Sequence, residues 1–299
     1  MEDNRFNQRT KYLTIGGFTI ACARTHPGIR AEIPFSGMAF YHPGAAEADF
    51  QFQIDAVEPD NSGELLFGSD DFMIPTFLWR RDSGCYDWMT KQRDRTPGLA
   101  FRISPDWRGF TLWRDETGSN GERAFHEFGA LFSYAVLNHD ACVLHGVVME
   151  YEGRGILVTA PAGTGKTTHT RMWRDMENAL ILNGDRCLCR KVDGVWYAYG
   201  MPWSGSSGEY INRRVKISAI VALERGEENR VERMDAFPGA LCLMQRIFAP
   251  VWPCRMQDEA FRITEELATR IPMLKLFCRP EPESVQVLKQ AVLSLEEAG

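Results

Sequence analysis

The stretch Leu157-Val158-Thr159-Ala160-Pro161-Ala162-Gly163-Thr164-Gly165-Lys166-Thr167-Thr168 decides how the second half of the chain is read. An apolar run, Ile156–Ala160, meets a loop with two glycines, and the loop ends at the head of a helical pattern over Thr167–Asp175. This is a P-loop arrangement with Ala160 in the first glycine position. Gly163 and Gly165 let the backbone bend so that successive N–H groups face an anion. The start of the helix adds its partial positive charge. Lys166 offers a point charge to the β- and γ-phosphates, and the Thr167 hydroxyl is a ligand for Mg²⁺. Ala162, Thr164 and Thr168 complete the cradle, and Pro161 stiffens its entry where no backbone donor is needed. The bare pattern arises by accident in about one chain in fifty of this length. Its place between an apolar strand and a helix is therefore what argues for a bound nucleoside triphosphate, ATP, with Mg²⁺.

Outward from the loop, strands and helices alternate. Ala141–Glu150 reads as a strand, and the turn Tyr151–Gly155 leads into the strand that feeds the loop. Beyond the loop helix come a buried strand at Ala179–Asn183 and a hairpin over Cys187–Tyr199 turning at Asp193-Gly194. Lys216–Glu224 is apolar on both faces, as a central strand is. Helices are expected over Asp235–Ile247, Met256–Arg270 and Glu283–Glu297, with a strand at Met273–Cys278. Alternation of this kind indicates an α/β half. Glu122–Asn138, with Phe125, Phe128, Phe132 and Val136 at three- and four-residue steps, is an amphipathic helix.

The first 120 residues read differently. Short β-favouring runs at Tyr12–Ala23, Gly37–Tyr41, Phe50–Val57, Thr76–Arg80, Ala100–Ile103 and Gly109–Arg114 are separated by turn signals such as His26-Pro27-Gly28, Pro43-Gly44 and Pro59–Gly63. That spacing predicts an antiparallel sheet or sandwich, and it carries no catalytic motif. The expected division is a β-rich domain over 1–120 and a nucleotide-binding domain over 121–299, with the boundary set loosely between 118 and 140.

Composition narrows the partners. The chain has 299 residues, 44% hydrophobic and 25% charged, with a formal net charge of −6. Such an acidic chain has no general attraction for nucleic acid or an anionic membrane. No apolar run approaches membrane-spanning length and the polar start Met1–Thr10 has no signal-peptide core, so a cytoplasmic location is expected. The eight cysteines include no Cys-x-x-Cys pair. Cys187 and Cys189 would share a strand face, where a metal site is conceivable, but two small apolar side chains are the simpler reading.

A P-loop needs an acidic partner for its metal, at the end of a neighbouring strand. Leu180-Ile181-Leu182-Asn183-Gly184-Asp185 has that form. Asp185 is the expected Mg²⁺ ligand, with acceptance of the acceptor hydroxyl's proton as a second role. The competing reading is an Asp in a Gly-Asp turn. His145 lies in the apolar run Val143–Val148, where a histidine is more often a satisfied core residue. Pro202–Glu209 is a Gly/Ser-rich loop with one carboxylate, Glu209, followed by Arg213, Arg214 and Lys216; such a loop can close over phosphates and orient an acceptor, or simply be a polar connection. Trp203 suits either stacking on a base or the core. Arg171 and Arg174 read as solvated helix charges.

Taken together, His145-Gly146-Val147, the Gly153-Arg154-Gly155 turn, the loop at 160–167 and the strand ending Asn183-Gly184-Asp185 resemble the kinase domain of HPr serine kinase/phosphorylase, whose core is shared with phosphoenolpyruvate carboxykinase. The Pro202–Gly205 loop and the Leu223–Gly226 strand end are similar to divergent HPr-kinase-like proteins, some of them associated with modified-peptide gene clusters. The resemblance covers roughly residues 120–290. It implies a mixed sheet flanked by helices, and an ATP- and Mg²⁺-dependent transfer of phosphate to a hydroxyl of a peptide, protein or small molecule. By the family's motif, Lys166 and Thr167 hold phosphate and Mg²⁺, His145 tunes the catalytic acid, and Asp185 is the second of an Asp pair. The first Asp of that pair, the family's usual base, falls at Gly184. This leaves Asp185, His145 or Glu209 to supply the base, or a module that binds ATP without transferring phosphate. No copy of the HPr-recognition segment is evident, so the expected acceptor is not HPr itself. Authentic family members are hexamers, so the resemblance raises a homo-oligomer. A carboxykinase-like reaction on a small acid finds no cluster of metal-ligating His and Lys.

Overall fold

The structure, a computed structural model, describes residues 10–24, 39–42, 44, 47–58, 60–70, 74–119 and 121–295. The chain divides into two compact units, Met1–Leu131 and Phe132–Gly299. The turns expected at His26–Gly28, the prolines at 43 and 59, and the start of the strand expected over Gly37–Tyr41 lie outside the described residues, as does the end of the helix expected to reach Glu297.

The described part of the first unit is one mixed sheet. Its strands are β1 (Lys11–Ile15), β2 (Phe18–Arg24), β3 (Tyr41–His42), β4 (Phe50–Ile54), β5 (Glu64–Ser69), β6 (Thr76–Arg80), β7 (Tyr86–Lys91), β8 (Pro97–Ile103) and β9 (Gly109–Asp115), in the order β3-β1-β2-β4-β9-β8-β7-β6-β5. The expectation of an antiparallel sheet or sandwich is corrected here: β2–β4 and β4–β9 pair in parallel. Phe128, on the helix α1 (Glu122–Ala135), stacks on Phe52 and meets Phe110 edge-on, so the three- and four-residue spacing does seat a helix on the sheet. Strand β7 was not legible because its Asp87 breaks the apolar pattern. That carboxylate is buried, and it is held by Arg81 at 2.8 Å and Arg102 at 2.7 Å.

The second unit is built on a second mixed sheet. Its strands are β10 (Ala141–His145), β11 (Val147–Tyr151), β12 (Arg154–Thr159), β13 (Leu180–Asn183), β14 (Arg186–Val192), β15 (Val195–Tyr199), β16 (Arg214–Arg225), β17 (Arg230–Met234) and β18 (Met273–Cys278). The path runs β10-β14-β15-β16-β12-β11-β13, with β18 pairing β16 and β17. The long strand β16 pairs β15 through its first residues and β18 through its last, with β12 parallel on its other side. The helices are α2 (Lys166–Glu177), α3 (Ala236–Met244), α4 (Arg255–Arg270) and α5 (Pro282–Ser294). Trp173 of α2 and Val285, Leu288 and Val292 of α5 bury against Met149, Val158, Val221 and Leu276. Buried Lys166, His169, Thr170 and Trp173 recur at helical spacing, giving α2 one inward face.

One expected strand is two. The run Ala141–Glu150 breaks at Gly146, β10 pairing β14 and β11 pairing β12 and β13. The chain makes the same change between β13 and β14, at Gly184-Asp185. The two corners are joined, because the Gly146 N–H donates to the Asp185 carbonyl at 2.9 Å. Strand β17, Arg-Val-Glu-Arg-Met, was missed because it is mostly exposed and offers no apolar alternation. Among the described residues no helix is long and apolar enough to cross a membrane.

Candidate functional site

The loop after β12 has the backbone its sequence requires. Gly163 has φ +74° and Gly165 φ +116°, a region that residues with a Cβ rarely adopt. Helix α2 begins at Lys166 with Gly165 as its N-cap and no side-chain cap, which leaves its first amides to a ligand. Pro161, Ala162, Gly163 and Thr168 are exposed, while Thr164 and Thr167 are half-buried. The Arg225 guanidinium, at the end of β16, donates to the Gly163 carbonyl at 2.7 Å and ties the loop to the strand beside it.

Lys166 is buried, with 9% of its surface exposed. Its Nζ donates to the Ala160 carbonyl at 2.8 Å and lies 3.1 Å from His145 Nε2. Burial pulls the ammonium below the usual lysine range. Asp185 opposes that shift and Arg246 adds to it. On its other side the imidazole of His145 places Nδ1 3.2 Å from Asp185 Oδ1. One tautomer satisfies both contacts: Nδ1–H donates to Asp185 and Nε2 accepts from Lys166. The hydrogen bond from His145 holds the Asp185 carboxyl below the usual carboxylate range, against the opposing effect of burial. Three residues singled out in sequence are thus in contact.

Asn183 fixes this corner. Its side-chain oxygen accepts from the Asp185 and Arg186 amides at 2.9 and 2.7 Å, and its Nδ2 donates to the Met201 carbonyl at 2.8 Å. The sequence reading gave Asn183 no role, although a buried Asn at a strand end is a recognisable turn-former. The segment Ser204–Gly208 lies against the same corner. A Cβ at Gly184 would stand 2.1 Å from Ser207 Oγ, and one at Gly205 2.8 Å from Asp185 Oδ2. Position 184 therefore has no room for a side chain, let alone a carboxylate, while Ser207 keeps its place.

Glu209 is not in contact with Lys166 or His145. Its carboxylate pairs with Arg174 at 3.0 Å and Arg171 at 3.8 Å, two arginines that are exposed, as solvated helix charges are, and that reach the loop from α2. Trp203 is 1% exposed and packs on Phe132, which removes the base-stacking alternative. Cys187 and Cys189 are buried with their sulfurs 3.8 Å apart, and Cys142 lies opposite Cys189 across the β10–β14 pair.

The donor set suits the metal implied by the loop. A carboxylate (Asp185) and a hydroxyl (Thr167) are oxygen donors, and Mg²⁺ with a nucleotide takes few protein ligands, its remaining positions going to phosphate and water. The glycines leave open space where a Cβ would be, at Gly163 and Gly165 alike. Beside the loop a cleft of about 740 Å³ runs along Thr159–Thr164, the end of β16, Lys275 of β18, and helix α3.

No family model matches the sequence, and no curated protein does. Among solved structures, the chain is similar to the Hpr(Ser) kinase/phosphatase from Coxiella burnetii, with 9% identity over 52% of this chain and 93% of that one. The TM-score is 0.34, a distant likeness of fold.

Proposed function

We propose that the chain is an ATP- and Mg²⁺-dependent phosphotransferase of the HPr-kinase-like class, acting on a hydroxyl of an acceptor other than HPr. The observation that carries this reading is the contact chain Lys166–His145–Asp185 at the foot of a phosphate loop. The loop amides and Lys166 bind the β- and γ-phosphates. Thr167 and Asp185 would hold Mg²⁺, which would supply neutralisation of charge on the phosphate oxygens. When Lys166 turns from the Ala160 carbonyl to phosphate, His145 Nε2 is released to accept a proton from the acceptor hydroxyl. Asp185 keeps the imidazole in the required tautomer. The acceptor oxygen then bonds to the γ-phosphorus, and the bond to the bridging oxygen breaks with its electron pair leaving on ADP. Positioning and charge neutralisation supply most of the acceleration.

Gly184 favours a second reading, a module that binds ATP without transferring phosphate, because the position of the family's usual base is sterically closed here. Incubation with ATP labelled at the γ-phosphate and a library of hydroxyl acceptors, followed by mass spectrometry, separates the two. Label on an acceptor, lost in Asp185→Asn, supports the transferase. Tight ATP binding with no labelled product across the library supports the module.

A further inference from the structure

The cleft beside the loop has no role in the account so far. Its floor is the loop itself from Thr159 to Thr164, its charged wall carries Arg225, Arg246 and Lys275, and its apolar wall carries Pro238 and Leu241 of α3. At about 740 Å³ it falls within the range of small-molecule sites.

Which end of the nucleotide faces it follows from Lys166. The lysine of a P-loop serves the β- and γ-phosphates. Its Nζ here rests on the Ala160 carbonyl and reaches the Pro161 carbonyl at 3.4 Å, and both residues line the cleft. Lys166 and His145 do not themselves line the cleft, so on the phosphotransferase reading the transferring end of the nucleotide would lie at its edge, and the cleft is where an acceptor would wait.

The charges in the cleft are unequally committed. Lys275 is paired with Glu224 at 2.6 Å, and Arg225 is bonded to the Gly163 carbonyl. Arg246 differs. Its guanidinium donates through Nη1 to the Gln245 carbonyl at 3.1 Å, and its Nε is buried with no partner among the described residues. Of the three cations, Arg246 is therefore the one in neither an ion pair nor a bond to the loop among the described residues, and its guanidinium has donors to spare for an anionic ligand. Arg246 is also placed firmly: its carbonyl accepts from the His145 amide at 2.7 Å, which binds the cleft wall to the proposed base. A planar, always-charged fork of this kind matches a carboxylate or a phosphate.

We infer that the cleft is the acceptor site and that the acceptor is a small hydroxyl compound bearing a carboxylate or phosphate group, which Arg246 binds. The inference rests on the phosphotransferase reading. The anionic group docks on Arg246, the carbon chain lies along Pro238 and Leu241, and the hydroxyl is turned toward His145 and the γ-phosphorus. Proton and phosphoryl group move as described above.

The test uses the full chain with γ-labelled ATP and Mg²⁺ against matched acceptor series, each hydroxyl skeleton in neutral, carboxylated and phosphorylated form (glycerol, glycerate and glycerol phosphate being the smallest). Titration with ATP is run in parallel. The expected result is label on carboxylated or phosphorylated members, at least about tenfold above their neutral counterparts; which arm is labelled identifies the anionic group. Arg246→Gln should lower kcat/KM for that acceptor at least about tenfold, with its ATP affinity within twofold of the parent. Arg246→Lys should restore part of the loss. Equal labelling of neutral members, no labelled member while ATP binds, or an Arg246→Gln variant that loses ATP rather than acceptor overturns the inference. Failure of ATP to bind the parent chain instead overturns the phosphotransferase reading beneath it.

Discussion

His145 Nδ1 lies 3.2 Å from Asp185 Oδ1 because two strands, β10 and β13, leave their neighbours at the same point. Each corner carries one of the pair, and the Gly146 amide bonded to the Asp185 carbonyl locks the corners together. The carboxylate fixes the imidazole's tautomer, which gives the two residues separable roles. His145→Ala is expected to lower kcat by about 10²–10⁴ while leaving ATP affinity near that of the parent. Asp185→Asn is expected to impair both transfer and the Mg²⁺ dependence of ATP binding. Kinetics and ATP titration with and without Mg²⁺ check this; equal loss of ATP affinity in both variants would place His145 among the binding groups.

Gly184 should resist substitution for a steric reason. A Cβ there meets Ser207 Oγ at 2.1 Å, and Ser207 is held by its hydrogen bond to the Ser204 carbonyl at 2.7 Å. Gly184→Ala is expected to destabilise the protein by about 1–3 kcal/mol, the usual cost of overpacking. Ser207→Gly in the same chain should recover part of it. Denaturant unfolding of the two single variants and the double variant measures the coupling; additive losses would show that the serine is not the obstacle.

His169 predicts an acid limit on stability. It is buried between α2 and α5, where Nε2 accepts from Trp173 Nε1 at 3.2 Å and Nδ1 lies 3.2 Å from Ser284 Oγ. Burial lowers its pKa from 6.5 to about 4. Between those values the unfolded chain binds more protons than the folded one, so stability rises with pH through that window. The contribution is fully present above pH 6.5 and is lost as pH falls toward 4, about 3 kcal/mol in all. Unfolding free energies at pH 7 and pH 4.5 should differ less in His169→Gln than in the parent. An unchanged difference would mean that other groups set the acid limit.

What the sequence made legible was local. The loop at 160–167 could be read because its chemistry is written in consecutive residues, and the strand–loop–helix around it is present. Trp203 could not be assigned, since stacking on a base and packing on Phe132 ask for the same side chain. Arg246 carries no local signal at all: it is an arginine just past a short helix, and only the folding of α3 beside the loop gives it a place. Strands β5, β7 and β17 were missed, each lacking a clean alternation, and β7 does so because it buries Asp87, which Arg81 and Arg102 on the neighbouring segments neutralise. The His145–Asp185 pairing was reachable only through family resemblance, because a break at Gly146 does not show in the apolar run Val143–Val148.

The central claim is that the amides around Gly163–Lys166 grip a polyphosphate. Calorimetric titration of the parent and of Lys166→Met with ATP, with Mg²⁺ present and absent, tests it most directly. Saturable binding by the parent, strengthened by Mg²⁺ and weakened at least about tenfold in Lys166→Met, is the predicted result. No heat of binding in the parent with Mg²⁺ present, or equal affinity in the two proteins, would contradict it.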